Sequence, residues 1–138
     1  MTRACLDKIG LMEERYFLYF EDLDWGLRAK RRGDIGYAFD SVVYHKGGTT
    51  IGTGPVTTIS EFATYLSFRN RVLFVYANFP AWLIWTALIA VARALEYGFR
   101  GRTGNMRVAL RGTLDGLLRR NGRPDELLSR HLVGKAPE

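Results

Sequence analysis

The sequence predicts an α/β chain, and three observations lead to that class. Tyr16-Phe17-Leu18-Tyr19-Phe20 is a run of five apolar or aromatic residues, too short for a core helix and suited to a buried extended segment. Residues 35–39 and 41–45 read as two short strands separated by Asp40. Between and after them lie segments with helical signals, at 25–33 and again from Ser60-Glu61 onward. The length of 138 residues is about one ordinary domain. A composition of 47% apolar and 25% charged residues is globular, not disordered. The single cysteine, Cys5, excludes an internal disulfide and any multi-thiolate zinc site.

Taken in order, residues 3–10 read as one or two helical turns closed by Gly10, with no apolar signal segment before them. So little precedes this turn for it to pack on that a preceding domain is expected. Residues 11–20 lead into the acidic cluster Glu21-Asp22-Leu23-Asp24, and a helix follows to Arg32 with Gly33 after it. Acids at the start and Lys30, Arg31 and Arg32 at the end complement the helix dipole. Asp24 and Arg28 are spaced for an i,i+4 ion pair, and Leu23 and Leu27 share a face. Residues 47–55 carry four glycines and read as a flexible loop whose amides are open to a ligand.

A long helix is expected from Glu61 to Asn78, with Pro80 serving as the first-turn residue of another. Residues 72–92 hold no charged side chain, which is long enough for a bilayer core, but Asn78 and Pro80 fall inside that stretch. Its strongly apolar stretch opens with Trp82 and Trp85, a helical turn from each other, as in a helix resting at headgroup level. A buried, re-entrant or interfacial segment is expected over a spanning one. Beyond it, Met106, Leu110, Leu114, Leu117 and Leu118 form an apolar stripe beside Arg107, Arg111, Asp115 and Arg119. This basic amphipathic helix, weakened by Gly112 and Gly116, can lie on an anionic membrane or pack its leucines on a protein core.

The net charge of +6 is unevenly placed. Residues 1–69 hold nine basic and nine acidic side chains, whereas residues 70–138 hold eleven and five. Sixteen of the twenty basic residues are arginine, so an anionic partner is expected for the second half. Nucleic acid fits poorly: the arginines alternate with aliphatic residues, not exposed aromatics, and no nucleic-acid motif is present. For Glu21, Asp22 and Asp24, two readings stand open, helix caps or a chemical site that accepts a proton or ligates a hard cation. His45, at the end of the second strand, is either structural or a metal ligand. His131 carries no signal.

The segments GLMEERYFLYFEDLDWGLRAKRRG, SVVYHKGG and FRNR, in that order, resemble the C-terminal half of the catalytic domain of family 2 glycosyltransferases, most closely the rhamnosyltransferase-like and galactofuranosyltransferase-like enzymes. The resemblance runs over residues 2–74 and more loosely through the basic tail. It implies the acceptor-side part of a GT-A fold over residues 1–60, apolar and membrane-proximal helices over 61–97, and a basic amphipathic helix and polar tail over 98–138. It also implies inverting transfer from a nucleotide-diphospho-sugar to a glycan or lipid-linked glycan in bacterial cell-surface polysaccharide synthesis. Asp22 would be the catalytic base, with Glu21, Asp24 and Trp25 at the acceptor site. His45 would join a divalent cation, Mg2+ or Mn2+, on the donor diphosphate, and Arg69 and Asn70 would contact phosphate or support the site. The family's nucleotide-binding units and Asp-x-Asp motif have no counterpart here, so donor and cation are expected only with a donor-binding half outside this sequence. The expected location is peripheral, on the cytoplasmic face of the cell membrane, or the cytoplasm if the tail does not bind lipid. The competing reading is a non-catalytic membrane-surface module.

Overall fold

The computed structural model describes residues 2–33, 35–44 and 59–133. Within them the chain forms helices α1 (Arg3–Ile9), α2 (Glu21–Arg32), α3 (Glu61–Asn78), α4 (Leu83–Phe99), α5 (Thr103–Leu117) and α6 (Asp125–Val133). Single 3-10 turns at Glu14–Tyr16 and Pro80–Trp82 precede α2 and α4. No strand occurs among the described residues, which overturns the α/β, GT-A expectation.

The physical reason lies in partners. Residues 35–44 have the β-branched and aromatic composition of strands, yet Ile35, Tyr37, Phe39, Val42, Val43 and Tyr44 all stand in solvent, Tyr44 at 95% exposure. Strand preference measures packing on a neighbour, and no described segment offers them an edge. The Tyr16–Phe20 run is not extended either. It contains the end of a 3-10 turn and three residues at positive φ, Phe17, Tyr19 and Phe20. His45 and the glycine loop lie outside the described residues.

Helix ends follow the sequence signals. Thr2 accepts from the Cys5 amide at the head of α1, and the Gly10 amide closes its far end on Leu6. Ser60 caps α3 by accepting from Ala63. Pro80 occupies the first turn before α4, where its missing N–H costs nothing.

α3 is the hub, with α5, α4 and α6 against it. Phe62, Tyr65 and Leu66 of α3 meet Val108 of α5 and Leu127 of α6 in one apolar cluster, while Phe68 meets Ala90, Ala94 and Ala109 in a second. The face that α5 buries is not the leucine stripe. It consists of Asn105, Val108, Ala109, Gly112, Thr113 and Gly116, with Asp115 also buried, while Leu114, Leu117 and Leu118 are exposed. Gly112 and Gly116 are therefore contact points, not weak points. A Cβ at Gly112 would stand 2.6 Å from the Tyr65 carbonyl, and one at Gly116 would stand 2.7 Å from that of Arg69. Two helices at such a distance exclude any larger residue.

The α3–α5 seam also buries polar groups, each with a partner. Asn105 Nδ2 donates to Thr64 Oγ1 at 2.8 Å, and the Tyr65 hydroxyl donates to Asp115 Oδ2 at 2.8 Å. Arg120 completes Asp115 from the other side at 2.9 Å. Burial, reinforced by Asp115, holds the Tyr65 phenol above its ordinary range.

Candidate functional site

The acidic cluster occupies the first turn of α2, and its three members have different surroundings. Asp24 is 5% exposed. Its Oδ1 accepts from the Tyr16 hydroxyl at 3.2 Å and from Asn78 Nδ2 at 3.1 Å, and its Oδ2 accepts from Arg28 Nε at 3.0 Å. Arg28 also donates to the carbonyls of Ile9 and Leu11, so one guanidinium ties α2 to the end of α1. Trp25 does the same through its indole N–H, 2.9 Å from the Gly10 carbonyl. Asp24 and Trp25 thus serve as anchors in this structure. The Tyr16 phenol, desolvated and facing Asp24, is pushed well above its ordinary range.

Asp22 stands apart from that network. It is exposed, and its Oδ1 makes a local contact, accepting from the Leu23 amide at 2.8 Å. Glu21 is half-buried, and its Oε2 is enclosed with no hydrogen-bond partner among the described residues. The Tyr19 hydroxyl is enclosed and unpartnered in the same way. Burial raises the Tyr19 phenol, and the Glu21 charge adds to it, so the two orphaned groups are electrostatic neighbours.

Arg69 and Asn70 hold the segment that presents these acids. Asn70 Nδ2 donates to the carbonyls of Tyr16, Leu18 and Tyr19 at 2.9, 2.7 and 3.0 Å. Arg69, 2% exposed, reaches the Tyr16 carbonyl at 3.0 Å, the Gly122 carbonyl at 2.8 Å and Asn70 Oδ1 at 2.9 Å. Desolvation lowers its guanidinium pKa, and Tyr65 offsets some of that shift. Positive φ at bulky residues costs roughly 1–3 kcal/mol each, and it persists only where the surroundings over-determine it. The Arg-Asn pair supplies that over-determination at Phe17 and Tyr19.

The Asp24–Arg28 pair is legible from spacing. Tyr16 and Asn78, which complete the Asp24 site, are not, since they sit on other elements with no periodic signal. A sequence signal for the Gly112/Gly116 seam exists as a Gly-x-x-x-Gly spacing on the face beside Ala109. Among the described residues, no group of three His, Cys, Asp or Glu is placed to hold a metal ion. Asp24 and Asp22 are engaged as above, and His45 lies outside the described residues, so the described residues do not by themselves fit the expected divalent cation.

The chain is similar to a hexosyltransferase. Over 136 residues it is 26% identical to the low-salt glycan biosynthesis hexosyltransferase Agl10 of Haloferax volcanii, an alignment covering 92% of this chain and 42% of that protein. The chain thus spans less than half the length of this curated relative. The similarity supports a glycosyltransferase relationship. No family model matches the chain. No solved structure matches it.

Proposed function

We propose that this chain is part of a glycosyltransferase that moves a sugar from a nucleotide-diphospho-sugar to a hydroxyl of a glycan or lipid-linked glycan with inversion. The observation that carries the reading is the division of labour in the α2 cluster. One carboxylate is buried and triply bonded, and its neighbour Asp22 is exposed on the rigid mount so created. In this reading Asp22 takes the proton of the acceptor hydroxyl as that oxygen bonds to the anomeric carbon. The bond from that carbon to the diphosphate oxygen breaks on the opposite face, and the electron pair leaves with the diphosphate. A base within reach of a poorly nucleophilic alcohol contributes about 10²–10⁴-fold. Glu21, half-buried beside Asp22, helps shape the acceptor site in this reading, while Asp24, Trp25, Arg69 and Asn70 position the mount. The divalent cation belongs with donor-binding residues that the described portion of the chain does not supply.

The likeness to a hexosyltransferase of glycan biosynthesis supports this reading. The test is Asp22→Asn in the intact protein, assayed with nucleotide-diphospho-sugar donors. Transfer is expected to fall by about 10²–10⁴-fold with donor binding retained. Undiminished transfer excludes Asp22 as the base.

The same reading places the chain peripherally on the cytoplasmic face of a membrane. Its support is α4. The stretch Pro80–Phe99 is long and apolar enough to cross a bilayer, yet only 11% of it is buried. Trp82, Ile84, Trp85, Leu88 and Ile89 stand exposed. This surface also favours a second reading, a membrane-surface module without catalysis, which the Asp22 experiment separates from the first.

A further inference from the structure

Between α3 and α4 lies a cleft of about 340 Å³, and no residue of α2 lines it. Ser67 and Arg71 of α3 form one wall, and Arg93, Glu96 and Tyr97 of α4, with Arg100 just past its end, form the other. Three guanidiniums therefore share one cleft with one carboxylate. Glu96 accepts from Arg93 at 3.2 Å and from Arg100, which fixes both arginines against the same acid. Arg71 is exposed and has no ion-pair partner among the described residues. The charges of the four groups leave the cleft with an excess of two positive units.

We propose that this cleft binds a dianionic phosphate group. A carboxylate would leave one positive unit uncompensated, whereas a phosphomonoester or diphosphate neutralises both. Each guanidinium carries five N–H donors in a planar fork, which matches phosphate oxygens in pairs. Arg93 and Arg100 use only some of those donors on Glu96, and Arg71 uses none of its own on an acid. The Ser67 hydroxyl adds a neutral donor. The volume exceeds what a single phosphate fills, so the group attached to the phosphate has room beside Tyr97. One wall of the cleft is the apolar helix α4. The phosphate can therefore come from a lipid headgroup or from a soluble phosphoester, and the chemistry of the cleft is the same for both. This inference stands independently of the role of Asp22.

The experiment is calorimetric titration of the full chain with inorganic diphosphate, paired with co-sedimentation on phosphatidylcholine vesicles with and without phosphatidic acid. Arg71→Gln and Arg93→Gln are each expected to weaken binding about tenfold, the effect of one charge-assisted hydrogen bond. Arg31→Gln, the same charge change at the exposed end of α2, is expected to leave it unaltered. Glu96→Gln removes the competing anion and is expected to tighten binding, a gain that misfolding cannot imitate. Loss confined to the cleft variants in the diphosphate titration supports a soluble phosphoester. The same loss seen only on phosphatidic acid vesicles supports a lipid phosphate. Absence of binding to both probes, equal loss with Arg31→Gln, or no gain with Glu96→Gln overturns the proposal.

Discussion

The two helices that flank α3 differ in an instructive way. α4 is much the more apolar in sequence, yet Ala90 and Ala94 are its only buried residues among those described. α5 carries glycines, an asparagine, a threonine and an aspartate on its inner face, and that face makes the closest helix contact with α3. Hydropathy thus does not rank burial here. What ranks it is closeness of fit together with a partner for every polar atom, because two backbones can approach only where side chains are small. Most large apolar groups of α4, and Leu114 and Leu117 of α5, are left outward, where they give a surface instead of a core.

The contrast can be broken most directly at the seam. Gly116→Leu should destabilise the fold by about 3 kcal/mol or more, since its side chain meets backbone that cannot yield. Urea denaturation checks this, and a variant as stable as the parent would dissolve the distinction between the two helices. The next largest effect is expected at the buried polar pair in the middle of α3. Asn70→Ala removes a donor from the carbonyls of Leu18 and Tyr19, and leaves that of Tyr16 to Arg69, and should cost about 2 kcal/mol. Amide exchange should accelerate through the loop around Tyr16 before it does elsewhere.

A smaller loss, about 1 kcal/mol, is expected for Tyr16→Phe, which removes one donor from Asp24. The pH dependence sharpens this case. The folded state holds the Tyr16, Tyr19 and Tyr65 phenols above the ordinary value of 10.0. Over the range between unfolded and folded values the native chain binds more protons than the unfolded one. Stability from this source is therefore complete below pH 10 and declines as pH rises beyond it. Tyr16→Phe should make the alkaline loss of helical circular dichroism less steep.

The least stability change is expected on α4. Trp85→Ser, at a side chain 62% exposed, should alter stability by no more than about 0.5 kcal/mol. Flotation with anionic vesicles should nevertheless decrease. A variant that floats as well as the parent removes α4 from the membrane reading while leaving the seam untouched.

Local signals in the chain specified the helices and their ends. Thr2, Gly10, Ser60 and Pro80 mark boundaries through capping and φ preferences that act over a few residues. The charge polarity of α2 and its Asp24–Arg28 pair were legible for the same reason, since i,i+4 contacts need no knowledge of the rest of the fold. The apparent strands at 35–44 misled because β-forming composition becomes structure only beside a partner strand. The leucine stripe of α5 misled because periodicity reveals which residues share a face, not which face a neighbour will choose. Tertiary structure decided that the Gly-x-x-x-Gly face of α5, and not Leu114 and Leu117, turns toward α3. It also decided that Asn78 and Tyr16, distant in sequence, converge on Asp24, and that Arg69 and Asn70 brace the loop carrying the Tyr16 carbonyl, far from them along the chain. Those outcomes depend on pairwise fit between segments that no local pattern encodes, and that fit separates the buried Asp24 from the exposed Asp22.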